Sequence, residues 1–287
     1  MQTMFWRKPM QFTKMHGAGN DFILIRDENS SYENYSYLAK QVCHRRFGVG
    51  ADGLMVVKKS TVADIRMMYY NSDGSLAEMC GNGIRCFSNF VYEKNIVSSS
   101  TFTVETLAGI KTIKISEGTP NERLIGVAMG TVQVHAHEVP VKSDKTRFFN
   151  QEIQLDKGTC IMSSVRMGVP HTVILVDDIS KIDVVGLGKE IETLDMFPER
   201  TNVNFAEVIN KAHMKVDTWE RGAGHTLACG TGVCSAVYVA YKNELTNNQV
   251  VVDVPGGQLE ITINDDDVYM EGKAVFICTG EYSFNEK

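Results

Sequence analysis

Met79-Cys80-Gly81-Asn82-Gly83 runs straight into an apolar, helix-compatible segment, Ile84 to Tyr92, and the arrangement recurs at Ala228-Cys229-Gly230-Thr231-Gly232 ahead of Val233 to Tyr241. Each stretch sets one cysteine at a glycine-rich turn that opens a helix. Such a turn offers unpaired backbone N–H groups and the positive end of the helix dipole, so it can hold a carboxylate and favour a thiolate. The glycines let the backbone approach a ligand with no Cβ in the way. Two cysteines in matching settings suggest one site with two similar jaws.

The two cysteines are 149 positions apart (229 − 80), and the same spacing returns elsewhere, the mark of an internal duplication. Leu38-Ala39-Lys40 falls on Leu187-Gly188-Lys189, and Ile65 to Asn71 on Met214 to Glu220, with Tyr70 opposite Trp219. At an offset of 148, Thr106-Leu107-Ala108-Gly109 falls on Val254-Pro255-Gly256-Gly257, each before an alternating strand-like run, Ile110 to Ile115 and Gln258 to Ile263. Phe22 to Ile25 and Thr172 to Val176 match as aliphatic or β-branched runs at an offset near 150. The chain therefore reads as two halves, 12–126 and 161–275, joined by the alternating segment Leu124 to Val141. Within each half the order is strand, helix, strands, cysteine turn, helix, strands, with helical spacing over Tyr37 to Arg46 and Val185 to Leu194. That order predicts an α+β fold in which one central helix is wrapped by a mixed or antiparallel sheet. No low-complexity linker separates the halves, which favours a rigid pair with a small-molecule site in the cleft between them.

At 287 residues, 43% hydrophobic and 22% charged, the composition is that of a soluble globular protein. No apolar run reaches the roughly 18 residues of a membrane span. Met1 to Pro9 has neither an apolar signal core nor a cleavage site, and reads as a loose extension before Met10. A net charge of −6 with no basic run argues against nucleic acid or an anionic membrane as partner and leaves small molecules. Seven cysteines spread thinly point to reduced thiols in the cytoplasm, with Cys43, Cys160 and Cys278 expected as buried structural thiols.

Several chemistries use a cysteine pair. Cys80/Cys86 and Cys229/Cys234 lack CxxC spacing and bring no clustered histidines, which disfavours a metal or a thioredoxin-like redox site. A structural disulfide is disfavoured by the compartment. Two-base proton transfer uses the duplication: one thiolate takes a proton from a carbon and the other thiol supplies one to the opposite face. A cysteine pKa near about 8.5 leaves only about 3% thiolate at neutral pH, and a helix dipole shifts it by about one unit or less. A nearby base is needed, and His171 and Glu220 are the candidates. Gly48-Val49-Gly50-Ala51-Asp52-Gly53 satisfies GxGxxG literally but precedes the strand-like Leu54 to Val57, so the dinucleotide reading fails on context.

The motifs KMHGAGNDF, GVGADGL, YNSDGS, MCGNGIRC, ETLAGI, MFPERTNVNF, WERGAGHT and ACGTG carry a resemblance to the diaminopimelate epimerase family that covers Phe12 to Tyr282. The resemblance implies two pseudo-symmetric domains of that family's fold, 10–126 with a returning strand at 276–287 and 127–275, and an active site between them. It implies Cys80 and Cys229 as acid–base cysteines tuned by His171 and Glu220, with no pyridoxal phosphate, no metal and no other cofactor. By the same resemblance the reacting carboxylate sits on the amides of Gly81-Asn82 and Gly230-Thr231. Asn20, Asn71, Asn202, Glu220 and Arg221 match positions that bind substrate, with Arg221 on the distal carboxylate. The implied reaction interconverts LL- and meso-2,6-diaminopimelate, for lysine and peptidoglycan precursors, in a cytoplasmic protein that is a homodimer by analogy. Two departures stand out: Val169 where the family has Asn, and His225 where Glu is common. They keep open a racemase of another amino acid, histidine or lanthionine, on the same fold.

Overall fold

The computed structural model describes residues 8–156 and 158–284. The chain divides into two compact units, one from the described residues of Met1–Val127 and Lys273–Lys287, the other from those of Ala128–Gly272.

The first unit runs β1 (Lys8–Gly17), β2 (Asn20–Arg26), α1 (Tyr35–Val42), β3 (Gly53–Lys58), β4 (Ile65–Asn71), β5 (Leu76–Ala77), α2 (Gly81–Glu93), β6 (Thr101–Thr106), β7 (Gly109–Thr119) and the first part of β8 (Glu122–Thr131), which continues past Val127 into the second. Strands β9 (Gln151–Leu155), β10 (Gly158–Met167) and β11 (Val169–Val176) come after it, then a short 3-10 turn. Next come α3 (Val184–Glu192), β12 (Asn202–Asn210), β13 (His213–Glu220), β14 (Gly224–Thr226), α4 (Gly230–Lys242), β15 (Gln249–Val254), β16 (Gly257–Asn264) and β17 (Asp267–Phe284).

The duplication read from the sequence is a duplication of strand pairing. In the first unit β1–β2 is antiparallel, β2–β3 parallel, β3–β4 and β4–β5 antiparallel, β4–β6 parallel, and β6–β7 and β7–β8 antiparallel. The second repeats this sense by sense through β10, β11, β12, β13, β14, β15, β16 and β17. Each unit is thus α+β, with a mixed sheet around one nearly buried helix. Helix α2 packs on β1, β2, β3 and β7, and α4 on β10 to β13 and β16. Burial is continuous along β2 and β3 because both faces are covered. Ile23, Ile25, Leu54 and Val56 join α1 residues Leu38, Ala39 and Val42 in one cluster. On the opposite face a Cβ on Gly83 of α2 would collide with Met55 and Phe22.

Several expectations need correction. The registers pair Phe22 with Gly53 and His171 with Asn202, and carried through β4 and β13 they set β2 against β11 at 149 (171 − 22), one residue from an alignment of Phe22 with Thr172. An aliphatic run carries no mark of which face each residue takes, and a one-residue slip exchanges the faces. The opening hairpin strands β1 and β10, and the short β5 and β14, were absent from the expected order. The segment Leu124 to Val141 is not one alternating strand: β8 ends at Thr131, and isolated bridges Gln133–Arg166 and His135–Arg147 hold the residues beyond it. Lys8 and Pro9 pair with Phe284 and Ser283, so strand begins inside the expected loose extension. Residues 1–7 of that extension, and 285–287 of the returning strand, lie outside the described residues. Cys43 is buried as expected, but Cys160 is only partly buried, and Cys278 is exposed, within a stretch of β17, Ile277 to Thr279, that is exposed at every position. Among the described residues, no helix is long and apolar enough to cross a membrane.

Candidate active site

Cys80 and Cys229 are the N-cap residues of α2 and α4, both in extended backbone, and neither makes a side-chain capping bond. Ser, Thr, Asp or Asn is the stabilising choice at an N-cap. A cysteine at the N-cap, placed twice at the positive end of a helix dipole, is better suited to chemistry than to helix stability.

The two thiols have different neighbours. In the first unit, Cys80 is half-buried, with Sγ 3.4 Å from Oδ1 of Asn20, which accepts its S–H. Asn20 donates through Nδ2 to Asp52 at 2.5 Å. Gly81 and Asn82, buried in the first turn, are held by the wholly buried Arg85, which donates to the Gly81 carbonyl at 3.1 Å and to Asn82 Oδ1 at 2.9 Å. Asn71 ends β4 and donates to Ser75 Oγ at 2.9 Å, closing the turn that leads to Cys80.

In the second unit, Cys229 is only 6% exposed, and its Sγ lies 3.6 Å from Thr231 Oγ1. Burial, and then the carboxyl of Glu220, push the Cys229 thiol well above its ordinary value, while Thr231 and the Gly232 N–H pull part of the way back. Glu220 ends β13, at the position equivalent to Asn71. Burial raises its carboxyl, against hydrogen bonds from Thr226 and Cys229, and Thr226 Oγ1 donates to Oε1 at 2.6 Å. A thiol and a carboxyl that both resist charge in one pocket oppose each other's ionisation.

His171 is fully buried in β11, where the equivalent residue of the first unit is Phe22. Its tautomer is set by Asn204. The Asn204 Nδ2 donates to the Thr172 carbonyl at 3.2 Å while its Oδ1 accepts from Thr218 Oγ1 at 3.1 Å, which fixes the amide. Nδ2 therefore also donates to His171 Nδ1, at 3.3 Å, and the ring proton belongs on Nε2. Nε2 is buried with no hydrogen-bond partner among the described residues. Burial, then Arg221, lower the imidazole to about 3. His171 is thus a neutral donor at physiological pH and a poor base, which leaves Glu220 as the group able to take the Cys229 proton.

Asn202 is 5% exposed, and its amide joins two backbones: Nδ2 donates to the Pro170 carbonyl at 3.0 Å, and Oδ1 accepts from the Arg221 N–H at 2.9 Å. It fixes the backbone beside His171 and Arg221. The Arg221 guanidinium uses Nη1 on the Glu199 carbonyl at 2.6 Å and keeps further donors for an anion. Gly230 and Thr231 open α4, and a Cβ at Gly232 would sit 2.1 Å from Asn204 Oδ1, so the close approach of helix to strand needs glycine there. His225 pairs with Asp217 at 2.7 Å, a contact between β13 and β14. Asn204, Thr226, Asp52 and Arg85 were not found from the sequence. The signal for Asn204 was present at the duplication offset, where an amide replaces Met55.

The family profile described as diaminopimelate epimerase matches residues 12–135 and 163–277. A diaminopimelate epimerase of Alkaliphilus metalliredigens is 48% identical over 95% of this chain and 97% of its own length. That of Clostridium perfringens is 46% identical over 96% of this chain and 100% of its own. Among solved structures, a hydroxyproline epimerase from Agrobacterium vitis superposes with a TM-score of 0.70 at 13% identity, covering 99% of this chain and 95% of that one. A phenazine biosynthesis protein of the PhzF family from Bacillus anthracis gives 0.68 at 17% identity, covering 96% of this chain and 99% of that one. These two share the fold. With the profile matched in both halves and relatives alike over nearly their whole length, the chain belongs to the diaminopimelate epimerase family.

Proposed function

We propose that the protein interconverts LL- and meso-2,6-diaminopimelate by moving the α-proton between two thiols. The observation that carries this reading is the pair of non-capping N-cap cysteines, Cys80 and Cys229, at equivalent places in the duplicated units. Glu220 accepts the Cys229 proton, the thiolate removes the α-proton from one face of the carbon, and the Cys80 thiol delivers its proton to the other face. Negative charge that develops on the substrate carboxylate is met by the N–H groups of Gly81-Asn82 and Gly230-Thr231, donors already in place before reaction. The Nε2–H of His171 supplies one more donor. The exposed donors of Arg221 fit a distal carboxylate, which diaminopimelate has and histidine lacks.

The proposal extends to a reaction without a cofactor, on the route to lysine and peptidoglycan precursors, in a cytoplasmic homodimer that acts on a small-molecule amino acid. Racemisation of another amino acid is the second reading, favoured by Val169, an apolar side chain at the position equivalent to Asn20. Chiral chromatography after incubation of reduced protein with LL-diaminopimelate, histidine, lanthionine and proline tests the choice. Conversion of diaminopimelate is expected. Conversion of another amino acid in its place would overturn the substrate and keep the two-thiol chemistry.

A further inference from the structure

We propose that Asp52 is a positioning residue that fixes which end of the Asn20 amide faces Cys80, so that in the substrate-free protein Cys80 stands as the hydrogen-bearing thiol, ready to donate in the direction in which Cys229 removes the proton. The inference rests on the two-thiol reading of the proposed function and assigns the resting protonation of Cys80 within it.

An amide can present either its oxygen or its NH2 to a neighbour, and the partner at the other end decides. At Asn20 that partner is the Asp52 carboxylate, an acceptor, at 2.5 Å from Nδ2. Turning the amide over would set oxygen against carboxylate. Oδ1 must therefore face Cys80, and it does so at 3.4 Å from Sγ. An oxygen acceptor there favours S–H and opposes a thiolate, whereas an NH2 group would do the reverse.

Asp52 is itself held in place. Arg45 bridges it to Asp21, with contacts of 2.6 Å to Asp52 and 2.8 Å to Asp21. The backbone N–H of Asp52 donates to Asp21 Oδ1 at 3.1 Å, and that of Asp21 returns a bond to Asp52 Oδ2 at 3.1 Å. Lys14 of β1 closes the group, at 3.0 Å from Asp21 and 2.6 Å from the Gly50 carbonyl. The charged groups around this turn are thus Lys14, Asp21, Arg45 and Asp52 on the β1 to β3 side and Arg85 in α2. The positions equivalent to Asn20 and Asp52 in the second unit, 149 further on, are Val169 and Thr201, so the device belongs to Cys80 alone of the two cysteines. This gives the Asp of GVGADGL a role that its failure as a dinucleotide motif left open.

The test is the pH dependence of Cys80 alkylation by iodoacetamide, resolved by peptide mass, in the full-length wild type, Asp52→Asn and Asn20→Ala. Asparagine at 52 lets the Asn20 amide turn its NH2 to the sulfur, and alanine at 20 removes the acceptor. Both should lower the Cys80 midpoint and raise its alkylation rate at neutral pH roughly fivefold, the factor equivalent to one hydrogen bond of about 1 kcal/mol. The Cys229 profile should not move, a separation that general loosening of the fold would not produce. An unshifted Cys80 midpoint in folded Asp52→Asn overturns the proposal; if that variant does not fold, an unshifted midpoint in Asn20→Ala does. The readout needs no turnover, so it stands apart from the substrate test.

Discussion

Replacement of either Cys80 or Cys229 by serine is expected to abolish epimerisation, by at least about a thousandfold, while leaving the protein as stable as the wild type or more so. The first half follows from the chemistry: a positioned acid or base contributes roughly 10²–10⁴-fold, and a serine hydroxyl cannot replace a thiol near neutral pH. The second half follows from the helix ends. Both cysteines occupy N-caps, where a sulfur is a weaker acceptor than a hydroxyl oxygen. Serine there can accept from an N–H of the first turn, a gain on the order of 0.5–2 kcal/mol. Initial rates beside thermal melts check both halves. Activity within tenfold of wild type in either variant would remove that cysteine from the reaction.

Glu220→Gln is expected to lower kcat about a hundredfold, because the Cys229 thiol loses its only carboxylate neighbour among the interactions that set its titration. Stability should move the other way, with a defined pH dependence. The folded-state pKa of Glu220 is raised by burial. Its contribution is therefore fully present below the unfolded value of about 4.3 and is lost as pH rises through the folded value. Glutamine does not titrate, so the melting temperature of the variant should gain on the wild type as pH increases. A difference that stays flat with pH would mean Glu220 is not strained by its charge.

Much of this was legible in the residues. The two cysteine turns, the helices they open and the 149-residue repeat are local patterns, and they place Cys80, Cys229, Gly81, Asn82, Gly230 and Thr231 without any coordinates. Partners set by long-range pairing were not legible. His171 reaches the buried face of β11 only through a register that the run Thr172 to Val176 does not encode. Asn204 looks like an ordinary polar residue in a strand until Thr172, Thr218 and His171 close around its amide. Asp52 was visible only inside a glycine motif whose usual meaning failed, and its contact with Asn20 spans two loops. The proposed basicity of His171 could not be judged from sequence either, because burial, which lowers its pKa, is a property of the packed sheet.

The most direct test of the two-thiol account is the reaction of LL-diaminopimelate with reduced protein in deuterated water, stopped at low conversion and read by mass and proton NMR. Two separate thiols predict meso product carrying deuterium at the inverted carbon, drawn from a solvent-exchanged donor, while the recovered LL isomer keeps its α-proton. Product that retains the original proton would mean that one group both removes and returns it, and would contradict the account.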